Sequence, residues 1–188
     1  MAEDKSLGPS RTMQTVIHCA CGRVPLEVVR APIISVECYC SSCRAAADKL
    51  QGLSDAPTIL EGHGGTRFVL YRKDRVRFLK GDEYLKEFRL SPKATTRRVV
   101  ATCCNTPVFL EFNGGHWLSL YGGLWPEGTL PPLEIRTMTS DLQDASILSG
   151  DVPKFKRQSI SFIAKLFGAW VAMGFRNPKI ATYGGFNV

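Results

Sequence analysis

The chain has no long basic run, no glycine-rich loop of the kind that cradles phosphate, no internal repeat and no apolar stretch long enough to cross a bilayer. Each absence removes a class of function. The clusters Arg97-Arg98 and Lys154-Phe155-Lys156-Arg157 are short, so the formal charge of +7 reads as solvated faces, and no nucleic-acid partner is expected. The apolar segment from Ile160 to Phe175 contains Lys165 and falls short of the roughly 20 residues of a spanning helix, so no transmembrane segment is expected. Residues 1–15 are polar, contain Gly8-Pro9 and lack the apolar centre of a signal peptide. They read as a disordered lead-in to a cytoplasmic domain.

What the chain does have is cysteine. Seven Cys fall into three groups: Cys19 and Cys21, then Cys38, Cys40 and Cys43, then Cys103 and Cys104. An odd number in local clusters argues for metal ligation in a reducing compartment rather than a secreted disulfide framework. The central group is the sharpest signal. Pro32 to Val36 reads as a strand and Ser41-Ser42 as the turn after it, and residues two apart in a strand face the same way. Three thiolates brought together repel one another unless a cation neutralises them, and zinc suits such soft ligands. Buried free thiols or a disulfide are the alternatives. The pair Cys19-Ala20-Cys21-Gly22 adds a second, weaker metal signal, with Gly22 allowing the tight turn of a knuckle.

The rest of the pattern is mainly β. Segments 24–29, 66–72, 76–79, 84–90, 95–102, 108–112 and 117–121 are short and rich in β-formers, with Gly81-Asp82, Ser91-Pro92 and Gly114-Gly115 between them. Alternation in Tyr84 to Leu90 predicts an antiparallel, half-buried sheet rather than a βαβ design. Residues 44–50 favour a short helix, 51–65 a loop carrying His63, and Ser140 is a candidate N-cap for a short helix. In the segment from Ser159 to Phe175, Ile160, Ile163, Phe167, Trp170, Val171 and Gly174 follow helical spacing. A helix packed on the sheet is the reading taken; an interfacial membrane helix and a homodimer contact are the alternatives.

Taken in order, Cys19-x-Cys21-Gly22, Cys38-x-Cys40-Ser41-x-Cys43-Arg44, the β region and Cys104-x-Thr106-Pro107 resemble the glutathione-dependent formaldehyde-activating enzyme family, which includes centromere protein V-like proteins. The resemblance spans Ile17 to Phe112. It implies an antiparallel, zinc-stabilised β fold over residues 16–125, followed by an extension over 126–188 with a C-terminal helix. It also implies two zinc ions. Cys19, Cys21, Cys103 and Cys104 would hold a structural one, and Cys38, Cys40 and Cys43 a second at the substrate site. The implied reaction is addition of glutathione to formaldehyde, a carbon–sulfur lyase chemistry, with Cys40 as the catalytic candidate. The sequence departs from the family pattern at four points. Tyr39 stands where His is common, a Gly expected after the triple falls near Asp48, Asn105 replaces Gly, and Ala101 occupies the first position of the late Cys-x-x-Cys. Cys103 and Cys104 would point to opposite faces of a regular strand. Cys103 therefore needs a turn or bulge to reach the metal, and Cys19, Cys21 and Cys104 are expected to matter more to stability.

Three protein ligands leave a fourth zinc position open, as in catalytic sites. Three thiolates make the metal a weak Lewis acid, which disfavours hydrolysis and suits a bound thiol attacking a small aldehyde. Arg44, next to Cys43, is the candidate partner for a glutathione carboxylate. His63, His116 and Tyr39 are candidate general bases on chemical type alone. A non-catalytic zinc-stabilised binding module and a thiol redox or metal sensor are the competing classes.

Overall fold

A computed structural model describes residues 14–180, 182, 184 and 185. Most of the lead-in expected over residues 1–15 lies outside that range, but Gln14 and Thr15 already belong to the first strand. The architecture is mainly β with two helices, in three layers. A small antiparallel sheet is built from β1 (Gln14–His18), β2 (Pro25–Val29) and β5 (Val76–Phe78). Pro25 is the first residue of its strand, where a missing N–H costs least. The larger sheet has seven strands: β3 (Ile34–Cys38), β4 (Thr66–Arg72), β6 (Leu85–Phe88), β7 (Thr96–Ala101), β8 (Thr106–Phe112), β9 (Trp117–Tyr121) and β10 (Ile135–Thr137). Their order is β10-β3-β4-β9-β8-β7-β6. All neighbours are antiparallel except β10, which runs parallel to β3. Two helices, α1 (Ser41–Gln51) and α2 (Ile160–Ala172), cover one face.

The large sheet is therefore not half-buried. Its central strands are sandwiched, and β4 shows why. Val69 and Tyr71 pack with Ile17, Leu26 and Val28 of the small sheet, while Phe68 and Leu70 pack with Ala46, Ala47 and Leu50 of α1 and Phe162 and Leu166 of α2. Alternate side chains feed two cores, each buried large side chain contributing about 1.5–3 kcal/mol. A strand with two apolar faces cannot alternate in sequence, which is why Phe68-Val69-Leu70-Tyr71 reads as a continuous apolar run.

Several expectations are corrected. Ser41-Ser42 is not a turn but the first turn of α1, capped by the Cys40 side chain. The residues around Ser140 form a 3-10 turn over Thr139–Asp141, and Ser140 makes no cap there. β10 carried no recognisable sequence signal, being three residues long, and it brings the segment after residue 126 into the large sheet. In α2, Ser159 is the N-cap, but the buried side chains are Phe162 and Leu166, with Met173 just beyond the helix. Ile160, Phe167 and Val171 are exposed instead, while Ile163 and Trp170 are only partly covered. The helix is apolar on both sides, so helical spacing alone selected the wrong face. No helix among the described residues is long and apolar enough to cross a membrane.

Arg97 and Arg98 are not solvated. Arg97 pairs with Glu87 and Glu111 and reaches the Ile180 carbonyl at 2.8 Å, tying the C-terminal segment to β7; Lys73 is buried against Glu111. Gly81 leads from β5 towards β6 at φ +76°, and a Cβ there would run into the Arg23 carbonyl. A left-handed residue with Cβ costs about 1–2 kcal/mol before any clash. Gly81→Ala should therefore lower unfolding free energy by about 2 kcal/mol or more, read as a lower urea midpoint at unchanged m-value.

Candidate metal centres

The first cysteine set is assembled by two reversals of the chain. After β1, Cys19 to Gly22 folds back in a tight turn in which the Gly22 N–H donates to the Cys19 carbonyl at 2.9 Å and the Val24 N–H donates to Cys19 Sγ at 3.3 Å. Gly22 sits at φ +74°, a conformation that suits glycine. Opposite lies the hairpin between β7 and β8, whose turn is Thr102-Cys103-Cys104-Asn105, with Asn105 at φ 51°. Just beyond it the register shifts at Val99/Val100, pairing Val100 with Pro107. Such an irregularity accommodates a proline that cannot donate to the ladder.

Because Cys103 and Cys104 are on a turn, both sulfurs point to the same place. Sγ separations are 3.6 Å for Cys19–Cys21, 3.8 Å for Cys19–Cys103, 3.4 Å for Cys21–Cys103 and 3.9 Å for Cys103–Cys104. A tetrahedron of sulfurs about 2.3 Å from zinc has edges of about 3.8 Å. The set fits a four-sulfur zinc without rearrangement, and Cys103 belongs to it as much as Cys104 does. The Thr106 hydroxyl lies 3.1 Å from Cys104 Sγ and also accepts from the Ala20 N–H at 3.1 Å, tying the two reversals together. Burial alone would raise the Cys104 thiol, but hydrogen bonding from Thr106 and Cys21 outweighs it and brings the group down to about 7. Burial pushes the Cys19 thiol up.

The second set sits where β3 meets α1. Cys38 ends the strand, Cys40 caps the helix and Cys43 lies in its first turn, so all three sulfurs fall within 4.8 Å of one another. Cys40 Sγ accepts from the Cys43 N–H at 3.3 Å, which places it at the positive end of α1, where a thiolate is stabilised. Hydrogen bonds from the Cys38 and Cys43 thiols lower Cys40 to about 2, and the same contacts, with burial, drive Cys38 upward. Among the described residues, no fourth Cys, His, Asp or Glu completes this group.

One residue beside this set escaped sequence reasoning. Arg98, fully buried, donates from Nη2 to the Ser42 carbonyl at 3.0 Å and to its hydroxyl at 3.2 Å, while Nε and Nη1 have no partner. Burial pushes the Tyr121 phenol up, and contacts with the other thiols together with burial push the Cys43 thiol up; the Arg98 charge opposes both shifts. A buried guanidinium without a carboxylate is costly. A zinc with three thiolates carries a net charge of about −1, the complement such a cation needs. The donor sets and this counter-charge together fit two zinc ions.

The three cysteines line a cavity of about 450 Å³, whose apolar walls are Val36, Phe68, Leu70, Leu110, Phe112 and Trp117, with Phe162, Ile163 and Leu166 of α2 as its roof and Thr96, Ser119, Thr137 and Gln158 among its neutral polar residues. The other candidates lie elsewhere. Arg44 is not a wall residue; its Nη2 donates to the Asp141 carbonyl at 2.6 Å. Tyr39, between two of the cysteines, points to the opposite face, where it lines a polar hollow with Glu37, His63, Arg67 and Arg136. Burial and the Glu37 carboxylate push its phenol up to about 12. His116 is buried, stacked on Trp170 and bonded to the Leu166 carbonyl at 2.9 Å, and burial lowers its pKa. None of the three candidate bases reaches the cavity.

Two outcomes follow from this geometry. Cys103→Ser and Cys104→Ser should each lose one zinc and lower the melting temperature by comparable amounts, about 10 °C or more, in metal analysis and thermal unfolding. Arg98→Met should weaken retention of one zinc about 10–100-fold in chelator competition while the other is held as before. Equal retention of both ions would refute the counter-charge role.

Comparison with known proteins adds the family. No curated protein matches the chain. A crystal structure of a Rhodobacter sphaeroides protein, a Northeast Structural Genomics target, matches over 76% of this chain and 99% of that one, at 17% identity and a TM-score of 0.44. The profile of DUF6151, described as a family of unknown function, matches residues 11–121, which contain both cysteine sets and nine of the ten strands. The chain belongs to the DUF6151 family.

Proposed function

We propose that this protein is a two-zinc protein of the formaldehyde-activating-enzyme type, with a structural four-sulfur centre and an open three-sulfur centre that binds a thiol and adds it to a small aldehyde. The observation that carries the reading is the second set itself: three sulfurs from one strand–helix junction, without a fourth protein donor among the described residues, lining a cavity that a small molecule can occupy. In this reading residues 16–125 form the zinc-binding unit and 126–188 an extension that closes its cavity.

Zinc held by these sulfurs would ionise an incoming thiol and leave it nucleophilic. In the addition a C–S bond forms, the carbonyl π bond breaks, and its oxygen takes up a proton equal in number to the one the thiol lost. Cys38, Cys40 and Cys43 hold the centre, the N-terminus of α1 and Arg98 balance its charge, and the walls exclude water. Glutathione and formaldehyde are the pair that the family resemblance implies. A non-catalytic binding module is the second reading, favoured by the distance of His63, His116 and Tyr39 from the cavity.

The zinc-loaded protein should consume formaldehyde in the presence of a thiol, and Cys40→Ser should abolish turnover while the chain stays folded through its four-sulfur centre. Thiol binding without turnover would leave the binding module standing. A fully folded protein with free thiols and no metal would remove both readings.

A further inference from the structure

Resting on the open three-sulfur centre proposed above, we infer that its ligand is an uncharged, apolar thiol rather than a carboxylate-bearing peptide such as glutathione. The cavity has the wrong chemistry for carboxylates. Its walls are predominantly aliphatic and aromatic, its polar groups are the neutral Ser41, Ser42, Thr96, Ser119, Thr137 and Gln158, and neither Lys nor Arg lines it. The one Asp, Glu, Lys or Arg in its walls is Asp141, an acid, whose carboxylate oxygen accepts from the Ser41 N–H at 2.8 Å.

The two arginines beside the sulfur set are engaged elsewhere. Arg44 is spent on the Asp141 carbonyl. Arg98 is sealed beneath the start of α1, with no exposed surface, and serves the thiolates. A glutathione molecule would have to bring two carboxylates against largely apolar walls and beside a third carboxylate, losing hydration with only neutral hydroxyl and amide groups, and no cation, in exchange. An alkyl or benzyl group on the same sulfur would instead replace water against Phe68, Trp117 and Phe162. A cavity of ≈ 450 Å³ has room for a group of that size beside the sulfur.

The roof supplies a way to test the walls without disturbing the core. Ile163 lines the cavity yet is 52% exposed, so an arginine there keeps its head in water while placing a cation at the cavity. The measurement is titration of the cobalt(II)-substituted protein with phenylmethanethiol, 1-butanethiol and glutathione, following the sulfur-to-cobalt charge-transfer absorption. The two apolar thiols should change the spectrum at concentrations at least about tenfold below glutathione. Ile163→Arg, with unchanged thermal stability, should narrow that ratio by strengthening glutathione binding. Glutathione binding as tightly as the apolar thiols would overturn this inference and leave the open centre intact. An unchanged ratio in Ile163→Arg would show that this cavity does not set the preference. No spectral change with any thiol would overturn the open centre, and this inference with it.

Discussion

Thiolate repels thiolate, and at two places this fold holds thiols so close that they cannot all ionise unless a cation lies among them. Much of the surrounding structure answers that constraint. In the four-sulfur set the answer is geometric: a knuckle and a hairpin turn meet with sulfur spacings that suit a tetrahedral ion, cross-braced through Thr106. In the three-sulfur set it is also electrostatic. The N-terminus of α1 faces Cys40, and Arg98 is buried next to Cys43 with two nitrogens unpaired. A buried arginine of this kind makes sense only beside negative charge, and the thiolates provide it.

The second set also shows how one strand serves two environments. Cys38 and Cys40 look towards the helices and the apolar cavity, while Tyr39 looks the other way into a hollow with Glu37, Arg67 and Arg136. Arg136 comes from β10 and pairs with Glu37 of β3 at 3.0 Å. The parallel edge strand thus fixes the polar face of β3 directly behind the sulfur site. Apolar wall on one side and ion-paired wall on the other follow from the period-two alternation of a single extended segment.

Local patterns in the sequence carried a good part of this. The cysteine groups were legible because metal ligands close in sequence need only a strand end or a turn to converge, and β4 and β9 were legible from apolar runs bounded by glycine and polar residues. What depended on distant partners was hidden. Arg98 looks like any other cation in an alternating strand until the neighbours from α1 are placed over it. β10 has too few residues for a periodic signal. The buried face of α2 could not be chosen because Phe162 and Leu166 satisfy helical spacing as well as Ile163 and Phe167 do. The late Cys-x-x-Cys read as broken because Ala101 stands in its first position, and Cys103 needed a turn or bulge to join the set; the four-residue hairpin turn supplies it.

The order of the pieces along the chain has a consequence for biosynthesis. All seven cysteines precede residue 105, and the roof over the second set is supplied by α2, which begins at Ile160. A chain emerging from the ribosome N-terminus first therefore presents both sulfur sets, and the Arg98 counter-charge, while the cavity is still uncovered. On the two-zinc reading, metal would reach the second set from open solvent at that stage. An ion bound then would sit between walls already made by β3, β4, β8 and β9, before α2 closes the roof over it.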